Sequence, residues 1–234
     1  MPAKQSVQTS STISSPRPAT EHLINLFKAA LATAPFCGGI ASLMSDYIPS
    51  MKKKRLEDFV EKLSEDLLRI QEQIDEDKFF NEEFAFVFEK CLRGVSENYQ
   101  KDKIDAFRGI LVNAASGHGF KSGENEYYLN QIERLSALHI RLLSFMAGPE
   151  QYLAAHDIPP QRIRGGFSSF LPVVVPDVHL EAIKSAFGDL YQLGYINTDK
   201  SIFHTMTSGQ GLDLLGDRLT EAGRRFINFC TAPT

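Results

Sequence analysis

The sequence predicts a mainly α protein, with an N-terminal helical bundle followed by a C-terminal domain that combines helices with a β-hairpin. Through most of residues 56–146, apolar residues recur at steps of three and four, the period of helices that bury one face. After residue 178, an amphipathic segment, Gly194, two short apolar segments and another amphipathic segment follow, which indicates helix, hairpin and helix. We expect a tail over 1–20, a helical bundle over 21–134 and the α+β domain over 135–234.

The composition is that of a folded soluble protein, with 43% hydrophobic and 23% charged residues. The formal net charge is −4, and neither half of the chain has a basic excess. Because a sequence-independent grip on nucleic acid needs clustered lysine and arginine, the composition disfavours it. Residues 1–20 are rich in Ser, Thr and Pro and lack the apolar core of a secretory signal, so we expect a disordered tail.

The residues that carry catalytic or metal chemistry are dispersed. Cys37, Cys91 and Cys230 form no CxxC pair, and we expect reduced core residues in a cytoplasmic protein. No G-x-S-x-G turn, P-loop or HxxxH pair occurs, so we expect neither an enzyme nor a bound metal or cofactor. The histidines lie far apart along the chain: His22, His118, His139, His156, His179 and His204.

Residues 29–45 form an uncharged segment, and four consecutive basic residues begin at Lys52. A membrane-spanning helix needs about 20 mostly apolar residues. This segment is shorter, is built largely of small residues, and is interrupted by Pro35 and by Gly38-Gly39. Pro35, Phe36, Gly38 and Gly39 are the candidate residues of a buried hairpin or membrane-inserting segment. We expect a kinked helix pair buried in a core, with no membrane contact in the resting state. The alternative is a segment that a signal releases for insertion.

Apolar seams define the helices of the bundle. The first seam covers residues 56–74, and charged residues occupy its other faces. Asn81 has the residue type and position of an N-cap for the next helix, because its side chain can accept from free amides. Gly109 lies within a later seam and predicts close approach of a neighbouring segment. The other seams run over 84–95, 104–114 and 128–146.

The C-terminal hundred residues begin with a Pro- and Gly-rich region in which the β-branched segment 170–175 is a strand or an extended connector. Asp177 is then the expected N-cap of a helix over 179–193, and Gly194 is placed to end that helix. The hairpin strands are expected near 195–198 and 212–218. Thr220 is expected to cap the last helix.

This order resembles the winged helix-turn-helix superfamily over about 100 residues. Residues 138–146 correspond to its first helix, residues 179–193 to its groove-reading helix, and Gly194-Tyr195-Ile196 to the entry of the wing. The segment 218–226, RLTEAGRRF, resembles an L-T-x-x-G-R ending found in many members. The resemblance implies a winged-helix fold, which serves either DNA binding or protein interaction.

The charges of the groove-reading helix disfavour DNA. Groove-reading helices supply Arg, Lys, Asn or Gln to bases and phosphates, whereas this segment offers Lys184 against Glu181 and Asp189. The candidate nucleic-acid contacts are Lys184, Arg162, Arg164, Arg224 and Arg225.

The stretch 34–39, APFCGG, and the seam after it resemble helical bundles of bacterial defence and cell-death effectors. Three functions remain open. We favour a non-enzymatic cytoplasmic protein that binds another protein or itself, with the exposed face of the 56–74 helix as a candidate surface. The alternatives are a DNA-binding regulator that uses the winged helix and a membrane-perturbing effector that uses residues 29–45.

Overall fold

A computed structural model describes residues 21, 24–25, 47–74, 81–116, 122–204, 215 and 218–232. The expected tail over 1–20 and the segment 29–45, with Cys37, Pro35, Phe36, Gly38 and Gly39, lie outside the described residues. Most of the expected second hairpin strand over 212–218 also lies outside them.

The described part of the chain contains nine α-helices. They are α1 (Tyr47–Arg69), α2 (Glu82–Glu97), α3 (Lys101–Ala115), α4 (Ser122–Arg134), α5 (Ala137–Ala147), α6 (Pro149–Ala155), α7 (Phe167–Val174), α8 (Leu180–Gln192) and α9 (Glu221–Cys230). Three short 3₁₀ helices, Gln71–Gln73, Pro160–Arg162 and Lys200–His204, lie between them.

Helix α3 is the centre of the packing. It contacts α1, α2, α5 and α9, and its residues Phe107, Ile110, Leu111 and Val112 are fully buried. Buried residues from both sides of position 135 join one hydrophobic cluster. The division of the chain into domains at that position stays a prediction.

Helices α1 and α2 form an antiparallel pair. Arg55, near the start of α1, donates from Nη1 to the carbonyl oxygens of Asn98 and of Ser96, the latter at 3.4 Å, at the end of α2. The expected seam of α1 is buried from Leu56 to Ile70, but the α-helix ends at Arg69 and a 3₁₀ turn follows. The helix is therefore shorter than the seam predicted.

The N-cap of α2 is confirmed at Asn81, whose Oδ1 accepts from the amide of Phe84 at 2.7 Å.

The apolar seam over 128–146 belongs to two helices rather than one. Helix α4 ends at Arg134 and α5 begins at Ala137. The apolar pattern continues across the break because Leu135 is itself buried in the same core.

The expectation of a strand or connector over 170–175 is wrong, because residues Phe167–Val174 form helix α7. Phe167, Phe170, Leu171 and Val174 are all buried, and this spacing gives a helix one apolar face. Asp177 is not the N-cap of α8. His179 occupies the N-cap position, without a side-chain capping bond.

Two predictions for the C-terminal region are confirmed: the end of α8 at Gly194 and the N-cap of α9 at Thr220. Gly194 has φ of 73°, and the amides of Gly194 and Tyr195 donate to Tyr191 and Leu190 at 2.9 and 3.0 Å. These two hydrogen bonds form a Schellman motif, which favours glycine at this position. Thr220 accepts from the amide of Gly223 at 3.0 Å and so caps α9.

The predicted α+β winged-helix domain is wrong. Among the described residues, no strand forms, and the segments expected to make the hairpin meet in one antiparallel bridge between Ile196 and Leu219. Its two bonds join the amide of Asn197 to the Arg218 carbonyl and the amide of Thr220 to the Tyr195 carbonyl, at 2.9 and 3.0 Å. On one side the bridge ends because α9 begins at Glu221, directly after Thr220.

Two of the three cysteines lie within the described residues. Cys91 and Cys230 are free and buried, as expected, and burial raises the pKa of both thiols. None of the described helices combines the length and the apolar character needed to cross a bilayer.

Candidate functional site

Polar side chains from three helices meet at a groove of about 400 Å³ between α4, α5 and α8. This volume is within the range of small-molecule sites. The lining residues are Gln131, Arg134, Leu135, His139, Asp189, Gln192 and Leu193.

The groove is organised by His139. Its Nδ1 lies 3.1 Å from the backbone nitrogen of Ser136, which can only donate, so Nδ1 accepts. The proton of the neutral ring is therefore on Nε2, which lies 3.4 Å from Oδ2 of Asp189. The pair links α5 to α8. Burial lowers the pKa of His139, although Asp189 opposes this effect.

The lowered pKa predicts a pH dependence of stability. The unfolded chain binds a proton at His139 more readily than the folded chain does, so this contribution to stability is present above about pH 6.5 and is lost as the pH falls. We expect His139→Gln to lose less free energy of unfolding than the parent chain when the pH falls from about 7.5 to about 5. Urea titrations at both pH values measure this difference, and equal losses would contradict the assignment.

A second groove, of about 320 Å³, lies between α3, α5 and α9. Its charged groups are joined in pairs: Arg141 Nε lies 2.8 Å from Asp102 Oδ2, and Arg108 Nε lies 2.8 Å from Asp66 Oδ2. Arg108 Nη1 also lies 3.0 Å from Asp105 Oδ1. These ion pairs connect α3 to α5 and to α1.

One edge of this second groove is aromatic. Tyr152 stacks on the ring of His156 with the centroids 4.0 Å apart, and burial raises the pKa of Tyr152 to about 12. The phenol is therefore neutral at physiological pH. Over the described residues, no three or more His, Cys, Asp or Glu side chains gather in a group suited to a metal ion.

The candidate nucleic-acid contacts are spread over three elements. Lys184 pairs with Glu181 within α8 at 2.8 Å, and Arg225 on α9 pairs with Glu124 on α4 at 2.6 Å. The remaining three are exposed: Arg224 lies beside Arg225, and Arg162 and Arg164 lie in the connection between α6 and α7. Nucleic-acid binding stays a prediction.

Sequence reasoning missed the exposed apolar side chains of the bundle. They are not members of the periodic seams, and a lone Leu, Phe or Tyr between charged residues has no sequence signal that distinguishes it from a core residue. Within the described residues, the large hydrophobic side chains that are exposed are Met51, Leu68, Phe86, Tyr99, Tyr127 and Tyr191.

Comparisons of the chain with protein-family models, with curated proteins and with solved structures found no match. The contacts, burial and charges of the described residues are therefore the basis for assigning a function.

Proposed function

We propose that the chain is a non-enzymatic cytoplasmic interaction protein that binds another protein or a second copy of itself. The contact surface is the outer face of α1 and α2, defined by Leu68, Phe86 and the charged side chains beside them. The observation that carries this proposal is the exposure of Leu68 and Phe86, at 37% and 38%.

These two side chains lie at the same level of the helix pair. The contact of Arg55 with Asn98 aligns the third turn of α1 with the end of α2. From there, Leu68 is thirteen residues along α1 and Phe86 is twelve residues back along α2, which corresponds to about 20 Å and about 18 Å. Two apolar groups on neighbouring antiparallel helices therefore reach the same end of the pair.

Charged residues flank both apolar groups. Glu61 and Glu65 are exposed on α1 at helical spacing from Leu68. On α2, Lys90 lies over the Phe86 ring at 5.9 Å and also pairs with Glu133 of α4 at 3.2 Å, and Arg93 pairs with Glu89 at 2.7 Å. An apolar centre with a charged rim is the arrangement of many protein interfaces.

The buried seam of α1 does not take part in this contact. Leu56, Leu63 and Leu67 are fully buried in the bundle, so a partner helix could reach them only by displacing α2 or α3. The outer face leaves the bundle intact, which is why it is the better candidate.

We expect Leu68→Glu combined with Phe86→Glu to abolish the association while the fold is retained, because two charges would be buried without partners in the complex. Light scattering over a concentration series measures self-association, and pull-down with the tagged full chain measures a heterologous contact. An affinity loss of about 100-fold or more is expected for the double variant.

The matched control is Tyr191→Glu, which places a charge on an exposed apolar residue of α8. This variant should associate as the parent chain does. A parent chain that stays monomeric and captures no protein, or a double variant that binds as well as the control, would contradict the proposal.

A further inference from the structure

Basic and apolar side chains meet at the end of the bundle where α1 begins and α2 ends. Because Arg55 donates to the carbonyl oxygens of Ser96 and Asn98, the first described turns of α1 lie beside the α2–α3 connection that carries Tyr99. We call this surface the basic end and define it by Met51, Lys52, Lys53, Lys54 and Tyr99.

The lysines of the basic end are little neutralised. Lys53 and Lys54 are exposed and Lys52 is half-buried. Among the described residues, their one ion pair joins Lys53 to Glu57 at 3.8 Å, with both side chains largely in solvent, and such a pair contributes little. Within the described part of the chain, Lys52 and Lys54 have no ion pair.

Helix stability does not explain this cluster. Four of the six basic residues of α1 lie consecutively at 52–55, in its N-terminal half, and Glu57, Glu61 and Glu65 follow them. The three lysines lie beyond the first turn of α1, where the helix dipole contributes little to their energy. The first turn of α1 contains no acidic residue. The concentration of positive charge at this end therefore favours an external anionic partner.

Two exposed apolar side chains accompany the lysines. Tyr99 is 82% exposed and Met51 is 48% exposed. The backbone beside Tyr99 is fixed, because the amide of Asn98 donates to Gly94 at 3.0 Å and Arg55 holds the Asn98 carbonyl. The phenol is thus presented outward on an ordered connection, with an apolar ring and a polar tip.

We propose that the basic end is a contact site for anionic lipid surfaces. The lysines would meet lipid phosphate and carboxylate groups, and Tyr99 and Met51 would lie at the level of the headgroups. Nucleic-acid phosphates would also satisfy the lysines, but they would leave Met51 in water, so the observations favour lipid. This contact lies along the surface, requires no spanning helix, and is independent of the outer face of α1 and α2.

The test is co-sedimentation of the full chain with vesicles of equal parts phosphatidylcholine and phosphatidylserine, compared with phosphatidylcholine alone. We expect binding to the anionic vesicles only, and weaker binding as salt rises. Replacing Lys52, Lys53 and Lys54 together by Gln should lower the partition coefficient about 100-fold, since each basic residue near such a surface contributes about a factor of five. Tyr99→Ser should lower it about fivefold.

The matched control replaces Arg162, Arg164 and Lys200 by Gln, which changes the net charge equally at three other exposed positions. It should lower binding less than threefold. Equal losses in the two triple variants, or equal binding to neutral and anionic vesicles, would overturn the proposal. The proposal would also be overturned if the triple lysine variant lost binding to a DNA duplex while its binding to anionic vesicles stayed unchanged.

Two further measurements separate this contact from folding and from the proposed protein contact. The triple lysine variant should unfold at about the same temperature as the parent chain, because the three side chains are exposed or half-buried and their ion pair with Glu57 is a weak surface contact. If it unfolds earlier, the single variant Lys54→Gln, at an exposed position, should still lower vesicle binding about fivefold. The Leu68→Glu and Phe86→Glu double variant should bind vesicles normally.

Discussion

Gly109→Ala is expected to lower the free energy of unfolding by about 3 kcal/mol. Gly109 lies in α3 where the end of α9 crosses it, and a Cβ at this position would overlap the carbonyl group of Cys230. It would also lie 2.9 Å from the amide nitrogen of Ala232. These are backbone atoms, so no side-chain rotation relieves the overlap, and α9 as a whole must move away from the core.

Denaturant unfolding followed by circular dichroism measures this loss. The control is Gly123→Ala in α4, where a Cβ would meet no atom within 4 Å. That variant should be unchanged or more stable by up to about 1 kcal/mol, because alanine favours a helix. Similar destabilisation of the two variants would show that the approach of α9 to Gly109 is not what requires glycine.

Local features of the fold could be predicted from the sequence. The buried residues Leu56 and Leu63 of α1, the caps at Asn81 and Thr220, and the helix end at Gly194 all depend on residues within a few positions of one another. Gly109 could also be identified, because a glycine inside an apolar seam indicates close packing. Its neighbour Cys230 could not, since that contact joins distant parts of the chain.

The incorrect predictions arose where local patterns were ambiguous. A short β-branched run such as 170–175 fits a strand or a buried helix, and here Phe167 completes a helical face. The hairpin order after Gly194 was compatible with a wing, yet among the described residues only Ile196 and Leu219 pair. Whether two such segments form a ladder depends on the length left between adjoining helices, which tertiary packing sets.

Both proposed contact surfaces depend on tertiary geometry. Leu68 and Phe86 lie at the same level along the helix pair only because α1 and α2 are antiparallel. The connection that carries Tyr99 lies beside α1 because Arg55 bridges the two helices. The basic run itself was visible in the sequence. The exposed tyrosine beside it was not, because no periodic pattern distinguishes Tyr99 from a buried aromatic residue.

The other large effect is expected at Asn113, a buried residue of α3. Its Nδ2 lies 2.9, 3.1 and 2.8 Å from the carbonyl oxygens of Asn228, Phe229 and Thr231, at the end of α9. The last carbonyls of a helix have no partner within the helix, and the two N–H donors of Asn113 are shared among these three, of which the bond to Phe229 is buried. Asn113 also fixes where α9 ends against α3.

Asn113→Asp keeps the shape of the side chain but replaces its donors by a carboxylate that faces carbonyl oxygens. We expect a loss of about 3 to 5 kcal/mol at neutral pH, the cost of a buried charge without a partner. Asn113→Ala removes the donors without adding a charge, and it should lose about 2 kcal/mol. Urea unfolding of the two variants beside the parent chain measures both losses.

The pH dependence distinguishes the charge from the lost hydrogen bonds. Burial and the facing carbonyls would raise the pKa of an aspartate at position 113 above its unfolded value. Its protonated form is therefore tolerated at low pH, and stability is lost as the pH rises through the folded pKa. The difference in stability between the Asp and Ala variants of Asn113 should narrow as the pH falls towards about 4. A difference that stays constant with pH would mean that the carboxylate escapes to water, and that Asn113 does not hold the end of α9 in a closed interior.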